Sequence, residues 1–184
     1  MLAEVRDTNQ SHIVLGTDTF GGKDLRRYPL AILTNLLGGG MSSRLFQRVR
    51  EELGLAYAVY AFQHLYLSAG MLGVYVGTQP ASAAEAEAVI RDELTKLARE
   101  GLTPEELAGG RQQLKGQVML SLESPSSRMH RLASTTLQGD RYRRLDEVLA
   151  EIDRVTVDAA AAVAAEFFAP ERWSVVRLGP ETGS

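Results

Sequence analysis

Residues Gly38–Tyr60 read GGGMSSRLFQRVREELGLAYAVY, and three secondary-structure boundaries fall inside that stretch. Gly38, Gly39 and Gly40 break the chain, and Ser42 or Ser43 stands where a side-chain oxygen can cap a new helix. That helix is expected to run to Leu53, with Gly54 supplying the left-handed terminus that glycine adopts without strain. On a helical wheel Leu45, Phe46, Val49 and Leu53 form one apolar stripe, with Arg50 on its flank. Arg48 and Glu52 make an i,i+4 pair worth roughly 0.2–0.5 kcal/mol. Beyond Gly54 the chain turns into a strand that places Tyr57 on one face with Leu55 and Val59. A guanidinium in the last helical turn and a phenol just inside the next strand therefore converge. Both donate hydrogen bonds, which suits them to a carbonyl oxygen or a developing oxyanion. The same two residues also have a purely structural reading. Arg50 complements the helix dipole, and Tyr57 is half-buried in a sheet.

Working outward, Ser11–Phe20 reads as a strand ended by Gly21-Gly22, followed by a helix from about Arg26 to Leu37 with Pro29 near its first turn. Downstream, Leu55–Phe62 and Ala69–Thr78 form an antiparallel pair joined through Gln63–Ser68. Then come Ser82-Ala83-Ala84-Glu85 as a capping box and Thr103-Pro104-Glu105-Glu106 as a second helix start, with proline at its first position. Helices opened by Ser124-Pro125, around Leu145–Ile152 and after Thr156 follow, and Trp173–Leu178 is a closing strand. The order β-α-α-β-β, four or five helices, then β segregates the two element types. It predicts an α+β fold, a mixed or antiparallel sheet with helices packed on one side. Residues 1–10 are expected to be a linker or arm, 11–180 a single domain and 181–184 a tail.

The 184 residues carry 20 basic and 23 acidic side chains, a net charge of −3 that does not suggest a nucleic-acid or anionic-membrane partner. With no cysteine, disulfides, thiolate nucleophiles and cysteine-bearing zinc sites are excluded. His12, His64 and His130 lie at least 52 residues apart, and neither H-E-x-x-H nor H-x-x-E-H occurs, so no metal site is expected in this chain. No G-x-S-x-G elbow is present. The glycine run lacks a Walker lysine and follows a helix, so it reads as a flexible joint between helices. No apolar run approaches ~18 residues and the start lacks a signal-like apolar stretch, so a cytoplasmic location is expected.

Several blocks together resemble the C-terminal homologous domain of the pitrilysin/insulinase (M16) metallopeptidases, a group that includes the mitochondrial processing peptidases. They are Ser11-His12-Ile13-Val14-Leu15-Gly16, the run from Leu36 to Phe46, the run from Arg50 to Tyr57, and Thr103-Pro104-Glu105-Glu106-Leu107. The resemblance implies two related domains facing each other around a peptide-enclosing chamber. The N-terminal half would carry zinc on an inverted motif, and this half would contribute an arginine and a tyrosine seven residues apart. Arg50 and Tyr57 match that pair in identity and spacing. Their implied role is substrate binding and oxyanion support, with Gly38, Gly39 and Gly40 shaping the chamber wall. The implied partners are a zinc-bearing N-terminal domain, on the same polypeptide or a separate subunit, and a peptide substrate. This chain alone would be an inactive half of a zinc endopeptidase, with an apolar face open to homodimer formation. The alternative is a non-catalytic scaffold subunit of the same superfamily.

Overall fold

The computed structural model describes residues 2–180; the expected tail at 181–184 lies outside the described residues. In chain order the elements are β1 (Leu2–Val5), β2 (Ser11–Phe20), α1 (Arg27–Gly38), a π-helical segment (Phe46–Glu52), β3 (Ala56–Leu65) and β4 (Ala69–Thr78). There follow α2 (Ala83–Glu100), α3 (Pro104–Ser121), α4 (Pro125–Leu137), α5 (Leu145–Asp153), α6 (Val157–Phe167) and β5 (Ser174–Gly179). The sheet has five strands in the order β1-β5-β2-β4-β3. All pairs are antiparallel except β1 with β5, so the fold is α+β with a mixed sheet.

Alternation along β2 shows why the helices lie on one side. Ser11, Ile13, Leu15, Thr17 and Thr19 are buried, whereas the residues between them are not. Ile13 and Leu15 continue across β4 into Val76 and Val74, and the core closes over them with Leu30, Leu33 and Leu37 of α1, Ile90 and Leu94 of α2, and Val163 of α6. The opposite face stays open. Leu2, Val176, Val14, Tyr75 and Tyr60 occupy matched register positions on it, one residue from each of the five strands.

Several boundaries follow their local chemistry. Thr103 forms the expected capping box, its Oγ1 accepting from Glu106 N at 3.1 Å while its own N–H donates to Glu106 Oε2 at 2.9 Å. Among the described residues, Gly54, Gly101 and Gly139 are the glycines with positive φ, at 60°, 67° and 58°. Three expectations are corrected. The N-terminal arm contributes an edge strand: Leu2–Val5 pairs in parallel with Val176–Gly179, although all four of its side chains are exposed. Ser82 does not cap α2, because a 3₁₀ turn at Pro80–Ser82 already gives it helical dihedrals, and capping requires an extended residue. His64, expected in a loop, is in β3, which reaches Leu65 and leaves only Tyr66–Ser68 as the connection.

One buried ionic tie fastens β5 to the helix layer. Glu87 of α2 is 9% exposed and accepts from Arg177 Nη2 at 2.5 Å and Nε at 3.0 Å, and from Arg91 Nε at 2.9 Å. Burial opposes its ionisation, but the hydrogen bonds from Arg177 and Arg91, and then their charges, outweigh burial and hold the carboxyl below its ordinary value of 4.5. A depressed folded-state pKa contributes stability that is complete above the ordinary glutamate range. That stability is lost as the pH falls from 4.5 through the lowered value. Glu87→Gln is therefore expected to destabilise the protein by about 1–3 kcal/mol at neutral pH. The loss should shrink below pH 4.5 in urea unfolding curves measured across the acid range.

Candidate functional site

Arg50 and Tyr57 do converge, by a route the helical wheel did not contain. The segment starts as an ordinary helix at Arg44 and Leu45, then widens into π-winding from Phe46 to Glu52. Leu53 N donates to Arg48 O at 3.3 Å and Leu55 N to Val49 O at 2.9 Å, five and six residues back. Leu45 and Val49 keep their buried positions, but the altered winding carries Leu53 out to solvent at 37% exposure. Ser43 does not cap the segment, since its Oγ donates to Gly40 O at 2.6 Å. Arg48 and Glu52 pair as expected, at 2.6 Å.

The strand after Gly54 is also irregular. Ala56 faces Thr78 and Ala58 faces Gly77, so Tyr57 is the extra residue of a β-bulge. The expectation that Tyr57 shares a face with Val59 is therefore corrected. Val59 is buried in the core, while the bulge turns Tyr57 out to 78% exposure.

The guanidinium of Arg50 lies between two rings, its Cζ 4.8 Å from the Phe46 centroid and 4.9 Å from that of Tyr57. Aromatic rings attract a cation without taking up its N–H groups as a carboxylate would. Among the described residues the Arg50 side chain makes no hydrogen bond, and its one carboxylate neighbour, Glu51, is 3.7 Å away. The Tyr57 hydroxyl likewise has no partner among the described residues. Both side chains line an open pocket of about 400 Å³, together with Gln10, Thr78, Gln79 and Ser82. Phe46 was legible only as part of an apolar stripe, and its service as a cradle for Arg50 could not be read before the winding was known. Gln10 and Gln79 gave no signal in the sequence.

The three glycines divide their work. A Cβ on Gly38 would sit 2.3 Å from Ala61 N and 2.8 Å from Ala61 Cβ, so this position lets α1 close onto β3. Gly39 N donates to Asn35 O at 2.8 Å, closing the helix end, and Gly40 O accepts from Ser43 N at 3.0 Å. The expected flexible joint is thus a hydrogen-bonded turn. Arg44 leaves it to pair with Glu106 at 2.7 Å, tying the turn to the capping box of α3. Among the described residues no group of three or more His, Asp or Glu side chains could hold a metal, so the residues present do not fit zinc. No described helix is long and apolar enough to cross a membrane.

The profile of the family described as "Peptidase M16 inactive domain" matches residues 3–114. An uncharacterized zinc protease of Bacillus subtilis, YmxG, is 37% identical over 179 residues, covering 97% of this chain and 44% of the relative. Among solved structures, the peptidase M16 inactive domain from Pseudomonas fluorescens superposes with a TM-score of 0.89 at 19% identity, covering 100% of this chain and 44% of the other. A chain of complex III2 from Candida albicans shares the fold with a TM-score of 0.83 at 14% identity, over 97% of this chain and 45% of its own. The chain belongs to the peptidase M16 family, as a C-terminal domain of the inactive type. It spans less than half the length of the YmxG relative.

Gly38→Ala is expected to lower stability by about 1–3 kcal/mol, because the clash is with backbone that cannot rotate away. Gly40→Ala, whose Cβ would meet only Gln113 Nε2 at 3.7 Å, should unfold close to wild type in the same denaturant titration.

Proposed function

We propose that this chain is the substrate-binding half, itself without zinc, of a zinc-dependent endopeptidase that encloses peptides between two homologous domains. One observation carries the proposal: two uncommitted hydrogen-bond donors, Arg50 and Tyr57, meet at the rim of an open pocket beside an unpaired sheet edge. Arg50, flanked by Phe46 and Tyr57, presents its fork to a carbonyl oxygen, and the Tyr57 hydroxyl donates to the same atom. Such donors accelerate amide hydrolysis when they bind the tetrahedral oxyanion more strongly than the ground-state carbonyl. β3 is the outer strand on this side of the sheet, so its free backbone groups can pair with an extended peptide. The uncovered sheet face, with Tyr60 and Val176 exposed, offers an apolar wall to the peptide. Metal, water and base are assigned to the N-terminal partner domain.

This chain alone should neither bind zinc nor cleave peptide. In the intact two-domain enzyme, Arg50→Ala and Tyr57→Phe are each expected to lower kcat by about 10²–10³. Arg50→Lys should fall with them, since an ammonium neither stacks between rings nor donates as a fork. Turnover at the wild-type rate in both Arg50→Ala and Tyr57→Phe, with zinc content unchanged, would overturn the assignment and favour a scaffold.

A further inference from the structure

A second cluster of arginines lies far from Arg50 and Tyr57. Arg27 opens α1, whereas Gly38 closes it, which separates the two ends by about 16 Å along the helix. Gly22 O accepts from Arg27 and Gly22 N donates to Tyr66 O, so the cluster belongs to the far end of β3, roughly 25 Å along that strand from Tyr57. There Arg27, Arg131, Arg141 and Arg143 line a pocket of about 210 Å³ with Asp140 and Tyr28. None of these residues was singled out by the sequence, because they come from α1, α4 and the connection from α4 to α5.

The charges in this pocket do not balance. Arg141 is taken up by an ion pair with Glu147. Of the other three guanidiniums, two pair with one carboxylate, Asp140, whose Oδ2 accepts from Arg143 Nη1 at 2.8 Å and lies 3.4 Å from Arg27 Nη1, and Arg131 pairs with no carboxylate among the described residues. Burial opposes ionisation of Asp140, but the Arg143 hydrogen bond and the Arg141 N–H hold it ionised, so it counts as a single negative charge. An excess of two positive charges remains. Lys23 adds to it from the rim, its Nζ 3.6 Å from where a Gly139 Cβ would stand. The nearby Glu151 is engaged elsewhere, with Arg154 at 2.6 Å. The side chains of Arg27 and Arg143 are only 23% and 18% exposed, so solvent screens this excess poorly.

One donor is also left over. Arg131 Nη2 donates to Arg143 O at 2.8 Å, but its Nη1 is buried with no partner among the described residues. A buried N–H of a charged group without an acceptor is costly, and arginine forks match the oxygens of tetrahedral oxyanions. We propose that the Arg27–Arg131–Arg143 pocket binds a phosphate-class dianion, inorganic phosphate or a phosphate monoester, at a site separate from the peptide-binding edge. The excess of two charges favours a dianion over a lone carboxylate. Occupancy ties α4, none of whose residues is buried, to α1.

Calorimetric titration of the intact protein with inorganic phosphate, in phosphate-free buffer, tests the site. One saturable event is expected at millimolar or lower concentration. Arg131→Ala and Arg143→Ala should each weaken it about tenfold or more, with circular dichroism unchanged. If an alanine variant fails to fold, Arg131→Lys and Arg143→Lys replace it. They keep the charge, lose the fork and should weaken binding several-fold. Arg50→Ala should leave phosphate affinity unchanged. A monoester such as phenyl phosphate should compete with phosphate if the site takes esters, and phosphate binding that phenyl phosphate cannot displace assigns it to the free ion. No saturable phosphate heat, equal affinity in the pocket variants, loss of binding in Arg50→Ala, or acetate binding as tightly as phosphate would each overturn the proposal.

Discussion

The approach of α1 to β3 at Gly38 and Ala61 sets the geometry of everything around the outer edge at β3. With a hypothetical Cβ only 2.3 Å from Ala61 N, the helix end and the edge strand touch through backbone, and neither can slide. The chain between them has only the residues from Gly39 to Leu55 in which to leave the helix, cross and enter the strand. It does so with a tight turn closed on Gly40, burial of Leu45 and Val49, and a last bond from Leu55 N to Val49 O. A regular helix of the same length would end in different rotation and rise. The π-winding and the bulge at Tyr57 are two successive adjustments to one fixed distance. Both irregularities are of kinds that concentrate at functional sites, where they re-aim side chains.

The second organising constraint is that the sheet is covered on one face only. On the covered side, polar contacts serve to fasten: Arg177 and Arg91 on Glu87, Arg44 on Glu106, Trp173 Nε1 on Phe167 O. On the open side the cross-strand row contains Val176, Val14, Tyr75 and Tyr60, with the Tyr60 and Tyr75 rings 5.0 Å apart, and His12 Nδ1 2.8 Å from the Tyr75 hydroxyl. That is too apolar for a face designed only for water, and it fits a domain whose relative YmxG is more than twice its length.

Most of the fold was legible because its signals are local. The strand at Ser11–Phe20, the Thr103 box and the glycine at 54 each depend on a handful of neighbouring residues, and each holds. What escaped depends on distant partners. Leu2–Val5 has no alternating pattern of its own and becomes a strand only because β5, over 170 residues away, offers an edge. Ser82 has a capping sequence but enters its helix from a 3₁₀ turn. For the candidate site, the identity and spacing of Arg50 and Tyr57 were readable, whereas the direction of Tyr57 and the role of Phe46 were not. The wheel and the pleat both assume regular periods, and this segment has neither.

Arg50 differs from other arginines of the domain in how its charge is accommodated. Arg44, Arg48, Arg91 and Arg177 are satisfied by carboxylates at 2.5–2.9 Å, which fixes them and neutralises them together. The carboxylate beside Arg50, Glu51, stands back at 3.7 Å; one at 2.5–2.9 Å would compete with any incoming oxyanion for its N–H groups. Two aromatic rings instead flank the guanidinium without supplying such an acceptor. The ring quadrupoles stabilise the cation by about 0.5–1 kcal/mol at an exposed site, far less than a developing oxyanion can. The arrangement places the arginine without a close acceptor, as the transition-state role proposed for it requires: such a group must bind the oxyanion better than it binds anything in its own fold.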